Sequence, residues 1–213
     1  MTESLLNVIK AGDTGELRKL LAADPGLVRH RPAEGPTPML LAVYHGHREL
    51  AAILLESGYS LDVFEAAALG RLDRVRELIN QSGPLVNAWS QDGFSPLGLA
   101  SFFGHLEVAK LLLERGANAN AESRNTMRVV PLHSAVAGRH TKVAELLLAN
   151  GANVNTKQQG GFSPLHQAAA HGQLEMIRLL LSYGADAKAT KNDGLSARDL
   201  ATAGGHPEAA ALL

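Results

Sequence analysis

Cysteine is absent from this chain of 213 residues, and only nine residues are Phe, Trp or Tyr. The lack of thiols excludes a disulfide scaffold and thiolate chemistry and leaves the redox compartment open. Lys and Arg number 20 against 21 Asp and Glu, so the net charge is −1. This balance argues against nucleic acid and anionic membrane as partners, because both attract strongly basic proteins.

Long apolar runs are missing as well, so no stretch has the length of a membrane span. The first residues lack a basic segment followed by an apolar run, and we expect no signal peptide and a cytoplasmic protein. Metalloprotease, Walker, dinucleotide-binding and nucleophile-elbow motifs do not occur. We therefore expect a protein that is not an enzyme and that needs no cofactor or metal.

The chain contains an internal repeat instead. Residues 94–120 return at 130–155 and 162–188, and a looser copy occupies 37–62. Most copies share a Thr/Ser-Pro start, a pair of small residues, a Gly-His turn, a run of three leucines and a closing G-A-N/D-x-N. The repeat length is 35 and then 33 residues, measured between the prolines of the last three copies.

These features together resemble the ankyrin repeat, a β-turn followed by two helices with a T-P-L-H-x-A opening. The resemblance implies an all-α repeat solenoid, a single ankyrin-repeat domain over residues 1–213. It implies seven stacked helix pairs with short β-hairpin fingers. The expected units are 1–32 (N-terminal cap), 33–61, 62–86, 87–120, 121–154, 155–188 and 189–213 (C-terminal cap).

The first helix of each unit has a recognisable start. Thr37, Ser95 and Ser163 precede a proline, where a hydroxyl can cap free amides and proline is tolerated at the first helical position. Val130 lacks the hydroxyl, so its cap should be weaker. Asp13 with Glu16 fits a capping box in the first unit.

Eight residues after the proline, Gly46, Gly104 and Gly172 suit a tight turn that needs a left-handed backbone. The fifth unit has Arg139 at that place, with Gly138 before it. This departure leaves the local turn geometry open.

The third unit is shorter than the others. Gly46 and Gly70 are 24 residues apart, against 34 from Gly70 to Gly104. We expect the finger to be missing before the third helix pair, with Ser60 or Asp62 as the helix cap.

The fifth finger, residues 123–129, is two residues longer than the fourth and carries Arg124 and Arg128. The last unit has Arg198 and Asp199 in place of Leu and His, which suits a terminal repeat that faces water. The sequence stops within a leucine-rich run. Either the cap is very short or the natural chain continues.

The histidines divide into groups. In ankyrin repeats the His of T-P-L-H, here His133 and His166, hydrogen-bonds backbone and ties the fingers together. His45 and His171 should face the groove, either as simple exposed side chains or as partner contacts. They lie in distant units, so we expect no joint metal site.

The ankyrin family contacts its partners through the fingertips and the two residues before the Gly-His turn. Six of the nine aromatic residues fall at such positions, and four of these six lie in the fourth unit. Packing is the alternative: Phe94 and Phe162 between fingers, Phe102 or Phe103 against Leu69. The fingertip of the second unit, including Glu34, belongs to the same variable set. The candidate partner-binding residues are Tyr44, His45, Trp89, Gln91, Asp92, Phe94, Phe102, Phe103, Met127, Phe162 and His171.

We therefore expect a protein–protein interaction module or adaptor that binds a partner protein through its concave finger and inner-helix face. We expect a monomer with no nucleic acid or membrane partner. The alternative is a regulatory or targeting ankyrin domain of an enzyme, on a longer chain or in trans. Binding of a small molecule or metal by the groove histidines and aromatics is a third hypothesis.

Overall fold

A computed structural model describes residues 2–33 and 35–213, without the side chains of Thr2 and Glu3. Glu34, expected at a fingertip, lies outside the described residues. The described part contains fourteen α-helices, which contact each other in successive pairs and stack in two layers. The inner layer contains α1 (Thr2–Ala11), α3 (Pro38–Tyr44), α5 (Val63–Ala68), α7 (Pro96–Phe103), α9 (Pro131–Ala137), α11 (Pro164–Ala170) and α13 (Ala197–Ala203). The outer layer contains α2 (Thr14–Ala23), α4 (Arg48–Glu56), α6 (Leu72–Gln81), α8 (Leu106–Glu114), α10 (Thr141–Ala149), α12 (Leu174–Ser182) and α14 (Pro207–Leu212).

The core lies between the two layers. The leucine runs supply it: Leu112, Leu147 and Leu180 are fully buried, and one or both of their leucine neighbours are half-buried. A fully buried leucine contributes roughly 1.5–3 kcal/mol. Because no helix pair can bury its apolar face alone, stacking of the units stabilises the fold and leaves one inner surface exposed.

The predicted helix caps are present. The side chains of Thr37, Ser95 and Ser163 accept hydrogen bonds of 3.2, 3.0 and 3.3 Å from the amide three residues on. Asp13 does the same at 2.8 Å. Its predicted capping box is only half formed, because the Glu16 carboxylate accepts from Lys19 and makes no return bond to the Asp13 amide among the described residues. Val130 makes no side-chain cap, as its lack of a hydroxyl predicts.

The turns within the helix pairs use a left-handed residue. Gly46, Gly104 and Gly172 have φ of 71°, 78° and 62°. Arg139 adopts the same conformation, with φ of 62°. Gly138, with φ of −75°, is needed for space: a Cβ there would lie 2.2 Å from the Phe102 carbonyl oxygen.

The fingers are tight turns. Single backbone hydrogen bonds of 2.9 Å close three of them, from Ser90 N–H to Phe94 O, from Gln158 to Phe162, and from Lys191 to Leu195. One isolated antiparallel bridge occurs in the last finger, and the described residues contain no named β-strand. The predicted β-hairpins are therefore not confirmed, because the arms are too short for a ladder.

The second and third units are joined without a finger, since α4 ends at Glu56 and α5 begins at Val63. Asp62 caps α5, with hydrogen bonds of 2.9 Å from the amides of Phe64 and Glu65. The Glu65 carboxylate accepts from the Asp62 amide in return, at 2.9 Å. Of the two predicted caps, Asp62 is therefore the one used.

Candidate functional site

A small apolar cluster lies on the concave face, which is the surface formed by the inner helices and the fingers. Its buried centre is Leu40, Ala68 and Leu99, separate from the main core. Because Ala68 is small, Tyr44 of the second unit reaches across the third unit to Phe103 of the fourth. Their rings stack with centroids 6.1 Å apart.

Two further phenylalanines extend this cluster. Phe102 meets Phe103 edge to face at 5.0 Å, and Phe94 packs against the buried centre. Phe103 also lines a recess together with Leu69, the neighbour that the packing alternative named. The structure therefore brings together four of the predicted aromatics, which we call the aromatic cluster: Tyr44, Phe94, Phe102 and Phe103.

Asp92 connects the fourth finger to this cluster. The Tyr44 hydroxyl donates a hydrogen bond of 2.7 Å to the Asp92 carboxylate, and the Ser90 hydroxyl donates a second one. Burial and the nearby Asp92 carboxylate raise the pKa of Tyr44 above its ordinary value, so the phenol stays protonated. Gln91 beside them is exposed.

Trp89 makes its contacts within the chain. Its indole N–H donates to the carbonyl of Glu122 at 3.1 Å, and the Arg124 guanidinium lies 3.8 Å from the ring centroid. The backbone N–H of Arg124 also donates to Gly93 O at 2.8 Å. The long fifth finger thus packs on the fourth, and Trp89 is half-buried between them.

A cavity of about 430 Å³ opens beside the aromatic cluster, across the fourth to sixth units. Phe102 and Met127 stand at it with 42% and 45% of their surface exposed. The carbonyl oxygen of the Gln167 side chain is buried, and no described residue donates a hydrogen bond to it. The lining residues are Tyr44, Phe94, Gly98, Leu99, Phe102, Met127, Val129, His133, Ser134, Ala137, Gln158 and Gln167.

The remaining candidates lie outside the cavity lining. Phe162 is half-buried, and the Lys191 ammonium sits 4.3 Å from its ring centroid. His45 is exposed and stacks on His47 with centroids 5.7 Å apart. His171 is exposed in the sixth unit.

His133 and His166 tie neighbouring fingers together, as expected from their sequence position. His133 Nδ1 accepts from its helix-cap amide at 3.5 Å, so Nε2 carries the proton and donates to Phe162 O at 3.1 Å. His166 reaches Ala189 O in the same way, at 3.1 Å. Burial lowers the pKa of His133 to about 4, and this imidazole is therefore neutral at physiological pH.

Sequence reasoning missed several residues of the cavity wall. Leu99, Ser134 and Gln167 each lie three residues after the proline of their unit, so one register position lines the cavity in three units. Gly98 occupies the slot that His133 and His166 fill in the next two units. Aligning the units by their prolines would have exposed both signals.

The described residues contain no group of three or more His, Asp or Glu side chains arranged to hold a metal ion. None of the helices in the described part of the chain is both long and apolar enough to cross a membrane.

Comparison with known proteins identifies the repeats. The family model described as ankyrin repeats (3 copies) matches residues 63–158, and the one described as ankyrin repeats (many copies) matches 147–201.

The chain is also similar to parts of longer proteins. It is 29% identical over 136 residues to alpha-latrocrustotoxin-Lt1a of Latrodectus tredecimguttatus, covering 58% of this chain and 10% of the toxin. It is 36% identical over 75 residues to the DNA-binding protein RFXANK of Homo sapiens, covering 35% and 29%. It is 30% identical over 121 residues to the probable E3 ubiquitin-protein ligase XBOS32 of Oryza sativa, covering 52% and 24%.

The matched part of the chain thus spans less than a third of each of these relatives. The two family models and the stacked helix pairs agree on the same architecture. The chain belongs to the ankyrin-repeat family.

Proposed function

We propose that this protein binds a partner protein through the concave face of its fourth and fifth units. Ankyrin repeats are in general protein–protein interaction modules. The observation that carries the proposal is the apolar cavity with Phe102 and Met127 exposed beside it. Large apolar side chains exposed around a concave site are typical of interaction surfaces.

The aromatic cluster suits a binding hot spot because its side chains are already fixed. Phe103 is held between Tyr44 and Phe102, and the Tyr44 hydroxyl is held by Asp92. Side chains that are ordered before binding lose little conformational entropy when a partner covers them. Truncating a hot-spot side chain typically costs more than about 1 kcal/mol of binding free energy.

The other candidates form the surroundings of this centre. Trp89 and Gln91 flank it on the fourth finger, and we propose them as rim contacts that exclude water. His45, Phe162 and His171 lie further along the concave face and would contact only a partner that spans most of the solenoid. We propose a monomeric protein that acts in the cytoplasm by surface complementarity, without catalysis.

The test is affinity capture from a lysate of the cells that express the protein. The Phe102→Ala/Met127→Ala variant should retain far less of the captured protein than the wild type does. Tyr183→Ala/Leu195→Ala is the matched control, since Tyr183 and Leu195 are 42% and 41% exposed and lie outside the cavity. Each truncation should weaken binding about tenfold, and the melting temperature should stay unchanged because these side chains are exposed.

Equal retention by both variants would contradict the proposal, because the partner would then use another face. A large drop in melting temperature for Phe102→Ala/Met127→Ala would show instead that these side chains belong to the core.

A second candidate function is a targeting domain of an enzyme, since one similar protein is named a probable E3 ubiquitin-protein ligase. A captured protein that is modified only in the presence of an enzyme bound to this chain would favour it. Because one similar protein is named as DNA-binding, the same assay should also be run with double-stranded DNA. We expect the protein not to retain DNA, because its net charge is −1.

A further inference from the structure

The cavity exists because the fourth unit lacks a histidine that the next two units have. In α9 and α11 the third residue after the cap is His133 or His166, and each imidazole fills the space up to the next finger. In α7 that residue is Gly98, which lines the cavity together with Val129 of the next finger. The missing imidazole therefore leaves both a space and an unmade hydrogen bond.

One acceptor on the wall of this space makes one hydrogen bond fewer than its counterpart in the next unit. Phe162 O accepts from the Gln158 amide and also from His133 Nε2. The corresponding carbonyl, Val129 O, accepts only from the Ser123 amide, at 2.8 Å, among the described residues. A carbonyl oxygen can accept two hydrogen bonds, so an occupant with an N–H or O–H donor can supply the bond that Val129 O lacks.

The wall also carries no charge. Its lining residues are apolar, aromatic or amide- and hydroxyl-bearing, and its one histidine, His133, is neutral at physiological pH. A partner's Arg, Lys, Asp or Glu placed here would lose its hydration without gaining a counter-charge. Among the residues that dominate binding hot spots, Trp, Tyr and Arg, only the two aromatic ones remain.

We propose that the partner protein inserts a tryptophan side chain into this cavity, with the indole N–H donating to Val129 O, as the imidazole of His133 donates to Phe162 O in the next unit. Indole offers a large apolar surface and a single donor without an acceptor, which matches a largely apolar wall and the second lone pair of Val129 O. A tyrosine hydroxyl would also bring an acceptor that needs its own donor. The inference rests on the proposed function and names the chemistry of the contact.

The direct test is an NMR titration of the folded protein with N-acetyl-tryptophanamide. The backbone amide signals of Gly98, Phe102 and Ser134 should shift in a saturable way. N-acetyl-1-methyltryptophanamide, which lacks the N–H donor, should bind at least several-fold more weakly, and so should the phenylalanine and leucine amides. The inference is overturned if the methylated or phenylalanine probe binds as well as tryptophan, or if tyrosine amide binds best.

Gly98→His is the sharpest variant, because it gives α7 the residue that α9 and α11 already have. A Cβ at this position meets only its own helix cap, Ser95 Oγ, at 3.2 Å, so we expect the variant to fold with an unchanged or higher melting temperature. The matched control is Gly83→His, at an exposed position with no heavy atom within 4 Å of the added Cβ. Gly98→His should abolish the tryptophan shifts, and the control should keep them.

A second variant keeps the test valid if Gly98→His fails to fold. Ala137→Phe places a large side chain at an exposed position of the cavity lining and should weaken the tryptophan shifts. Unaltered tryptophan shifts in both variants contradict the inference.

The proposed function has a separate outcome. A captured partner protein whose binding survives Gly98→His but is lost in Phe102→Ala/Met127→Ala leaves the concave face as the binding surface and rejects the tryptophan pocket. Tryptophan binding without any captured protein would reject the proposed function instead, and the occupant would be a free indole compound.

Discussion

At two junctions of this solenoid, the same helix position holds a buried polar side chain, which is a hydrogen-bond donor at one junction and an acceptor at the other. Between the fifth and sixth units, a buried neutral histidine donates to a finger carbonyl. Between the second and third units the finger is missing, and α3 contacts α5 less extensively than α9 contacts α11. The third residue after the cap there is Glu65, fully buried, which accepts from the hydroxyls of Thr37 and Tyr59.

The difference shows what decides the residue in this slot. Where the next unit presents a carbonyl oxygen, the slot needs a donor, and His133 supplies it. In α5 the slot faces the preceding unit, whose Thr37 and Tyr59 hydroxyls are donors. Together with the Asp62 amide they need an acceptor, and Glu65 supplies it. In α7 the slot holds Gly98, which supplies neither a side-chain donor nor an acceptor, and a cavity opens there.

Among the changes considered, removal of the Glu65 side chain should lower the stability of the protein most. Glu65→Ala leaves two hydroxyls and one amide buried without an acceptor, and each costs about 1–3 kcal/mol. We expect the free energy of unfolding to fall by about 3 kcal/mol or more, measured by urea titration. The control is Glu77→Ala on α6, where the ion pair with Arg74 is exposed to solvent and the free energy of unfolding should hardly change. Equal losses would show that the buried network does not hold the finger-less junction.

The two junctions should also respond to pH in opposite directions. Burial lowers the pKa of His133 to about 4. Its contribution to the free energy of unfolding is therefore complete above the ordinary histidine pKa near 6.5, and it is lost as the pH falls from there toward 4. That loss is about 3 kcal/mol. Burial and the Asp62 carboxylate raise the pKa of Glu65. Its contribution to the free energy of unfolding is therefore complete below the ordinary glutamate pKa near 4.3, and it is lost as the pH rises through the raised pKa.

Native-state hydrogen exchange between pH 4 and pH 8 checks this directly. Amides of α9 should become less protected in acid, and amides of α5 should not follow them. In His133→Gln the acid loss of α9 protection should disappear. Parallel changes in both helices would contradict the assignment of the two groups.

Substitutions at the turns within the helix pairs should change the stability less than those at His133 and Glu65. Arg139 holds a left-handed backbone that disfavours any residue with a Cβ, so Arg139→Gly should stabilise the protein by about 1 kcal/mol. Gly172→Ala should do the reverse, because its φ is 62° and the added Cβ would lie 2.7 Å from the His206 ring. Thermal unfolding measures both. A destabilised Arg139→Gly would show that the arginine side chain has a stabilising contact.

Local signals predicted much of this structure. The spacing of the Thr/Ser-Pro starts and the Gly-His turns identified the stacked helix pairs, and the short distance from Gly46 to Gly70 identified the finger-less junction. Each depends on residues close together in sequence, whose capping and turn chemistry is local.

The missed features depend on contacts between units. Glu65 meets Thr37, which lies 28 residues earlier, and Trp89 meets Arg124 of the next finger. The aromatic cluster was predicted as a set of exposed positions. The contacts that join its members through Ala68 and Asp92 form only when three units stack, and the sequence of a single repeat does not predict them. The cavity is invisible in the sequence of α7, because it arises from a side chain that Gly98 does not have.

On this proposal, the concave face of the fourth and fifth units is the binding surface. The most direct measurement is amide hydrogen exchange of the protein with and without its captured partner. We predict slower exchange in the fourth and fifth fingers and in α7 and α9 on binding. Slower exchange confined to the outer helices α8, α10 and α12, with the fingers unchanged, would show that the partner binds the opposite face.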